Sequence, residues 1–404
     1  MSALTLYGDG IHDDTPAIQA MLDSKICEVS LPAPKEHYCI SKTLRIYSNQ
    51  TLRLPETARV RLLPMSDCYM LTNAERDAHD IVICGGIWDM DNLSQSPNPL
   101  IAQAERMQEI THLSGRRDLT VTHESLGYFG CVFSFSHITR LSIHDLTIKD
   151  PITFCIRIGY VSYFTVENIR FDMNLGNPLA MNMDGIHVDG GCHFGCIRNV
   201  QGTCYDDVVA INADDNYDGP ISDISVDGVF GANSLRGVRL LSIKSPVERI
   251  SISNIYGTFY QNAVSLTYYF PRNGIRGKMS HITVNNVFAS NAHRIPEYGK
   301  GDDSVFGFSH LWIDGTLDID YLGVSNFFRR ESIGRVETIH ICPDANIGTL
   351  SLCNILQQNE TGEPMTLLLN EGNIKKLCMS NVDSGNDRLL DNRGNIEKII
   401  DNAI

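Results

Sequence analysis

Asp184, Asp206 and Asp207 are the residues whose type and spacing carry the most chemistry in this chain, the first lying 22 and 23 positions ahead of the pair. If that interval makes one tight turn of a stacked solenoid, the three carboxylates come to adjacent parallel strands, about 4.8 Å apart. Carboxylates that close cannot all ionise freely, so at least one pKa must rise. A protonated acid beside ionised bases is the combination that hydrolysis of a glycosidic bond requires. Strand alternation sets a condition. Consecutive residues point to opposite faces, so Asp206 and Asp207 share a cleft only where the strand bends or bulges. Outside such a setting, an Asp-Asp pair and Asp184-Gly185 are ordinary turn residues.

The elements that must position them are visible as a repeat. From about residue 137 one pattern recurs, as in Ile138-Thr-Arg-Leu141-Ser-Ile143, Phe164-Thr-Val166-Glu-Asn168-Ile169, Ile250-Ser-Ile252-Ser-Asn254-Ile255, Ile282-Thr-Val284-Asn-Asn286-Val287 and Leu350-Ser-Leu352-Cys-Asn354-Ile355. The Asn positions return at intervals of about 25 to 32 residues, within the range of solenoid repeats. Each copy alternates apolar and polar residues, the period of a half-buried strand, with Gly, Asn, Asp and Ser clusters between copies. The pattern predicts an all-β, single-stranded right-handed parallel β-helix, with the recurrent Asn stacked as a ladder at a corner. A two-sheet sandwich is the alternative, but these intervals are too long for simple hairpins.

One β-helix domain is expected over 1–404, with an N-terminal cap region over 1–45. There Asp14 or Thr15 can cap a helix that Pro16 begins, and Ile18, Met21 and Leu22 form an apolar stripe able to plug the end of the stack. Two segments break the strand pattern, 92–128 and 291–308. They are expected as long inter-coil loops walling a cleft, the second offering Arg294, Tyr298 and Lys300 as ligand contacts. The apolar content of 43% allows a large core, and the formal net charge of −15 argues against nucleic acid as a partner. No run is long and apolar enough for a membrane span. No signal peptide precedes the folded-looking sequence, and the 12 cysteines are scattered through strand-like segments. They are expected as reduced thiols in a cytoplasmic protein, although a secreted form with its signal removed has the same sequence.

Tyr7-Gly-Asp-Gly-Ile-His-Asp-Asp-Thr-Pro-Ala-Ile-Gln resembles the opening of the pectate-lyase-like β-helix superfamily. Gly85-Gly-Ile-Trp-Asp89, Asn182-Met-Asp-Gly-Ile186 and Tyr205-Asp-Asp-Val-Val-Ala-Ile-Asn212 are similar to segments of the polygalacturonase-like glycoside hydrolases of family twenty-eight. The resemblance spans roughly residues 5–270, with its specific part in 182–212. It implies that Asp206 is the general acid and that Asp184 and Asp207 hold and activate a water, giving inversion. Two family elements are missing. Gly237-Val-Arg-Leu-Leu-Ser242 stands where the family has Gly-His-Gly, and Val264-Ser-Leu-Thr-Tyr268 where it has the Arg-Ile-Lys that reads a uronate carboxylate. The expected substrate is therefore an oligo- or polysaccharide other than a plain galacturonate.

Asn182, His187, Arg236, Arg239, Lys244, Tyr268 and Arg272 are the substrate-binding candidates. The arginines and Lys244 can equally neutralise the carboxylates, and the aromatic residue can equally be loop packing. No cofactor is implied. His187, Asp189, His193, Asp214 and Asp215 could compose a metal-ligand set, calcium being the ion that carboxylates would take, whereas Cys192-His-Phe-Gly-Cys196 has metal-like residue types but no second matched pair at zinc-finger spacing. A monomer or a small homo-oligomer is expected. The rival readings are a non-catalytic carbohydrate-binding or tailspike-like β-helix, and a related polysaccharide lyase or glycosyltransferase.

Overall fold

The computed structural model describes residues 5–98, 130–178, 180–268, 274–292, 308–334 and 336–401. The described residues form 27 strands in one hydrogen-bonded array, in which strands pair in parallel with their counterparts on neighbouring coils. The architecture is the expected right-handed parallel β-helix with one short helix near its start.

The repeat accounts for this stacking. Ile143, Val166, Ile197, Val226, Ile252, Val284, Val324, Leu352 and Met379 pair in sequence from coil to coil. All nine are buried, and they form one inward row of the core. Each buried aliphatic side chain contributes about 1.5–3 kcal/mol relative to exposure, and no coil can bury its row alone.

The recurrent Asn lies where the chain turns the corner. Asn168, Asn199, Asn254, Asn286, Asn326, Asn354 and Asn381 all have left-handed backbones, with φ between 52° and 58°. Asn tolerates this region better than other non-glycine residues. The side chains then bond along the stack, Asn199 Nδ2 donating to Asn168 Oδ1 (2.7 Å) and Asn381 Nδ2 to Asn354 Oδ1 (2.9 Å). Asn354→Ala places a Cβ residue without a side-chain amide at φ 56° and removes bonds to Asn326 and Asn381. The expected loss is about 1–2 kcal/mol. Asn354→Gly should lose less in the same urea unfolding series, because glycine keeps the backbone relaxed.

The cap helix Thr15–Asp23 buries Thr15, Ala17, Ile18 and Leu22. Its capping differs from expectation. Asp14 holds the N-cap position, but its carboxylate turns away to accept the Tyr7 amide (2.6 Å) and the Cys39 amide (3.1 Å). Asp13 instead accepts the Thr15 amide at 2.9 Å. Asp14 thus ties the first loop to the first coil.

Of segment 92–128, residues 92–98 are described. They are tied to the coils by Asn92 Nδ2 to the Pro151 carbonyl (2.9 Å) and Asn98 Nδ2 to the Met181 carbonyl (2.8 Å). Arg294, Tyr298 and Lys300 lie outside the described residues. All twelve cysteines are free, and no described helix is long and apolar enough to cross a membrane.

Candidate active site

Three consecutive coils build the site. Asp184 precedes the strand Ile186–Asp189, Asp207 opens the strand Asp207–Asn212, and Arg236 opens the strand Arg236–Leu241. Asp207 pairs in register with Arg236. Asp206 sits in the bend just before its strand, which lets both members of the pair reach one patch. Gly185 makes the close approach possible, since a Cβ there would lie 2.6 Å from both the Phe171 ring and the Val208 carbonyl oxygen.

One carboxylate oxygen from each of Asp184, Asp206 and Asp207 lies within 4.8 Å of the others. Asp184 and Asp207 are buried, while the Asp206 side chain, 17% exposed, forms the rim. The Asp207 amide donates to Asp184 Oδ1 at 3.3 Å. Burial and the charges of Asp207 and Asp184 push the Asp206 carboxyl up to about 8, against the pull of Arg236 and Arg239. Burial also raises Asp184, against the hydrogen bond from His187. Asp207 carries the arginines: Arg239 Nε lies 2.6 Å from its Oδ2 and Arg236 Nη1 3.3 Å from its Oδ1, with Arg236 also 2.8 Å from Asp206.

Behind Asp184 runs a second line of charge. His187 Nδ1 is 2.6 Å from Asp184 Oδ2, and His187 Nε2 is 3.3 Å from Asp189 Oδ1. Arg157 Nε donates to Asp189 Oδ2 at 2.8 Å. The Phe154 ring stacks on the imidazole at 4.0 Å, and Arg157 lies over the Tyr217 ring. All four charged residues of this line are buried. Burial alone would strip the proton from His187, but Asp189 and Asp184 reverse this and lift its pKa to about 10. Burial likewise opposes charge on Asp189, yet Arg157 and His187 hold it well below the usual carboxylate range.

No family model and no curated protein sequence matches the chain. Solved structures do. A family 28 exopolygalacturonase from Yersinia enterocolitica superposes with a TM-score of 0.58 at 14% identity, over 98% of this chain and 76% of that one. An endo-xylogalacturonan hydrolase from Aspergillus tubingensis gives 0.52 at 14%, over 97% and 98%. PfbA, a surface adhesin of Streptococcus pneumoniae, gives 0.51 at 15%, over 99% and 91%. What they share with this chain is the fold.

The structure sorts the substrate-binding candidates. Arg236 and Arg239 lie at the aspartates, but their guanidinium groups face carboxylates. Asn182 is half-buried two residues before Asp184, with φ 53°. His187 corrects the expectation of a substrate contact. It has no exposed surface, because Phe154 and Asn216 close over it. Tyr268 is also a correction. Its ring belongs to the core and its hydroxyl donates to the Ile275 carbonyl at 2.5 Å, so it offers no stacking platform. Lys244 lies beyond the far end of its coil's strand, ion-paired with Asp218, and lines a separate groove with Lys278 and Lys375. Arg272 lies outside the described residues.

The suggested metal ligands do not make one site: Asp189 and Asp215 lie 3.3 and 3.7 Å from His187 Nε2, but the protonated imidazole has no lone pair to offer. His187 and Asp189 belong to the buried line, and Asp214 Oδ2 accepts the amides of Ile243, Lys244 and Ser245 at 2.8–2.9 Å. The three clustered aspartates have their positive charge supplied by two guanidinium groups, a poor fit to calcium. Sequence reasoning missed Arg157 and Phe154. The available signal was the alternation Ile186-His-Val-Asp189, which puts His187 and Asp189 on one face opposite two core residues and asks for a cation on the neighbouring coil.

Proposed function

We propose that this chain is a glycoside hydrolase in which Asp206 protonates the leaving oxygen and Asp184 and Asp207 hold the attacking water. The observation that carries the reading is Asp206, a rim carboxyl pushed up to about 8 beside two buried carboxylates within 4.8 Å. A group with that pKa keeps its proton at neutral pH, and its neighbours raise it by remaining charged. A water accepted by two oxygens at ordinary hydrogen-bond lengths spans about 4.6 Å, so Asp184 and Asp207 are close enough to share one. Inversion follows if that water attacks. The family resemblance and the fold shared with two hydrolases support the same reading.

A neutral or atypically charged sugar is the proposed substrate. In the coil after Arg239, the outward positions are Ser265 and Thr267, and the next outward residue of that row is Trp312. None of these is a cation able to pair with a uronate carboxylate.

The test is reducing-end release from a panel of neutral and acidic glycans across pH, with the anomer formed first identified by NMR. Activity is expected to fall as pH rises through about 8, where Asp206 loses its proton. The product should have inverted configuration. Activity level through that pH range sinks the acid assignment, and retained configuration sinks the shared water. One observation favours a second reading, a non-catalytic carbohydrate-binding β-helix: Arg236 and Arg239 contact both oxygens of Asp207, which crowds the place where a water would sit. Glycan binding without release of reducing ends would support that reading.

A further inference from the structure

We infer that Arg157, Asp189 and His187 form a positioning relay that keeps the shared proton off Asp184, so that Asp206 serves as the acid and Asp184 as the base. The inference deepens the hydrolase reading and rests on it for the names acid and base. The placement of the proton is testable without turnover.

Three carboxylates lie within 4.8 Å of one another, and nothing in their type says which one keeps a proton. Asp207 has two arginines and Asp206 has one. Asp184 is the deeper alternative to Asp206. It is buried, next to Asp207, and faced by the thiols of Cys155 and Cys204, which burial holds protonated. A buried carboxylate in such surroundings takes a proton readily unless a charge opposes it. The cation in direct contact is His187, 2.6 Å away, with Arg239 acting at longer range.

His187 can oppose protonation of Asp184 only while it is charged itself, and burial works against that. Asp189 supplies the opposing charge at 3.3 Å, with Asp215 farther out at 3.7 Å. Asp189 in turn is kept ionised by Arg157 at 2.8 Å. Each member fixes the charge of the next, ending at the Asp184 carboxylate. Phe154, stacked on one face at 4.0 Å, fixes the plane of the imidazole. The relay touches neither the cleft nor Asp206. It acts through Asp184.

The test uses His187→Gln, which keeps an N–H for Asp184 and removes the positive charge, and Asp189→Asn as a second variant should the first fail to fold. In wild type, carbon-13 NMR of the aspartate carboxyls should show Asp184 ionised at neutral pH while Asp206 is protonated. In either variant the proton should move to Asp184. The acidic limb of the kcat profile should then shift to higher pH by about one unit, a roughly ten-fold loss on the acid side, with KM little changed. A purely structural role lowers activity at every pH and leaves the limb in place, which would overturn the relay. If wild type hydrolyses nothing, the hydrolase reading fails. The relay is then decided by the carboxyl titration alone, and an Asp184 that titrates identically in wild type and both variants overturns it.

Discussion

Replacing Asp206 with asparagine is expected to lower kcat by roughly 10²- to 10⁴-fold, the usual contribution of a general acid, while KM changes little. Asparagine preserves shape and the contact to Arg236 but cannot deliver a proton to a leaving oxygen. Reducing-end assays on wild type and Asp206→Asn, with the same glycan, measure this directly. Release that survives the substitution removes Asp206 from the mechanism. Stability should move the other way. A carboxyl whose folded pKa is raised from 3.8 to about 8 contributes its full share to stability only below its unfolded value. That contribution is lost as pH rises towards 8, because the unfolded chain releases the proton first. Asp206→Asn has nothing to ionise, so its melting temperature relative to wild type should improve from pH 4 to pH 9. The improvement separates loss of an acid from loss of structure.

The largest effect on folding is expected at Arg157. Arg157→Met keeps much of the apolar stem but leaves Asp189 as a buried carboxylate whose remaining cation is His187. Removing one partner of a buried pair typically costs about 3–5 kcal/mol, because the other charge is left without its compensation. Loss of the stacking on Tyr217 adds to it. Urea unfolding of Arg157→Met measures the cost, and the double variant Arg157→Met, Asp189→Asn should recover part of it. The pH dependence has a definite sign. Asp189 is held well below its ordinary range in the fold, so its contribution is present above the unfolded pKa and lost as pH falls. Wild type and Arg157→Met should therefore converge in acid. Equal losses at all pH values would place the effect in packing rather than charge.

Asp206 was legible in the sequence as a candidate but not in its charge, whereas Arg157 was missed until the fold placed it on Asp189. The corrections have physical causes that particular residues make plain. Val264-Ser-Leu-Thr-Tyr268 alternates, so the same period that turns Val264 and Leu266 inward also turns Tyr268 inward. Its placement in the core was therefore available from the pattern. For His187 alternation gave the correct face, but facing away from the core did not mean facing solvent. Phe154 from the preceding coil and Asn216 from the following turn cover it. Lys244 is close to Arg239 in sequence, yet the chain has left the strand by then, and its ammonium goes to Asp218.

By itself, the sequence determined the β-helix, its inward aliphatic rows, its Asn ladder and the meeting of Asp184 with Asp206 and Asp207. Each follows from a repeat whose strands stack in register, so that residues one coil apart become neighbours whatever else surrounds them. Tertiary structure alone decided which carboxylates are buried, which arginine each one meets, and that Asp206 reaches the patch from a bend. These depend on coils of unequal length, on side-chain direction at strand ends and on what folds over the outer face. Alternation encodes none of them, yet they set the charge state of every group in the site.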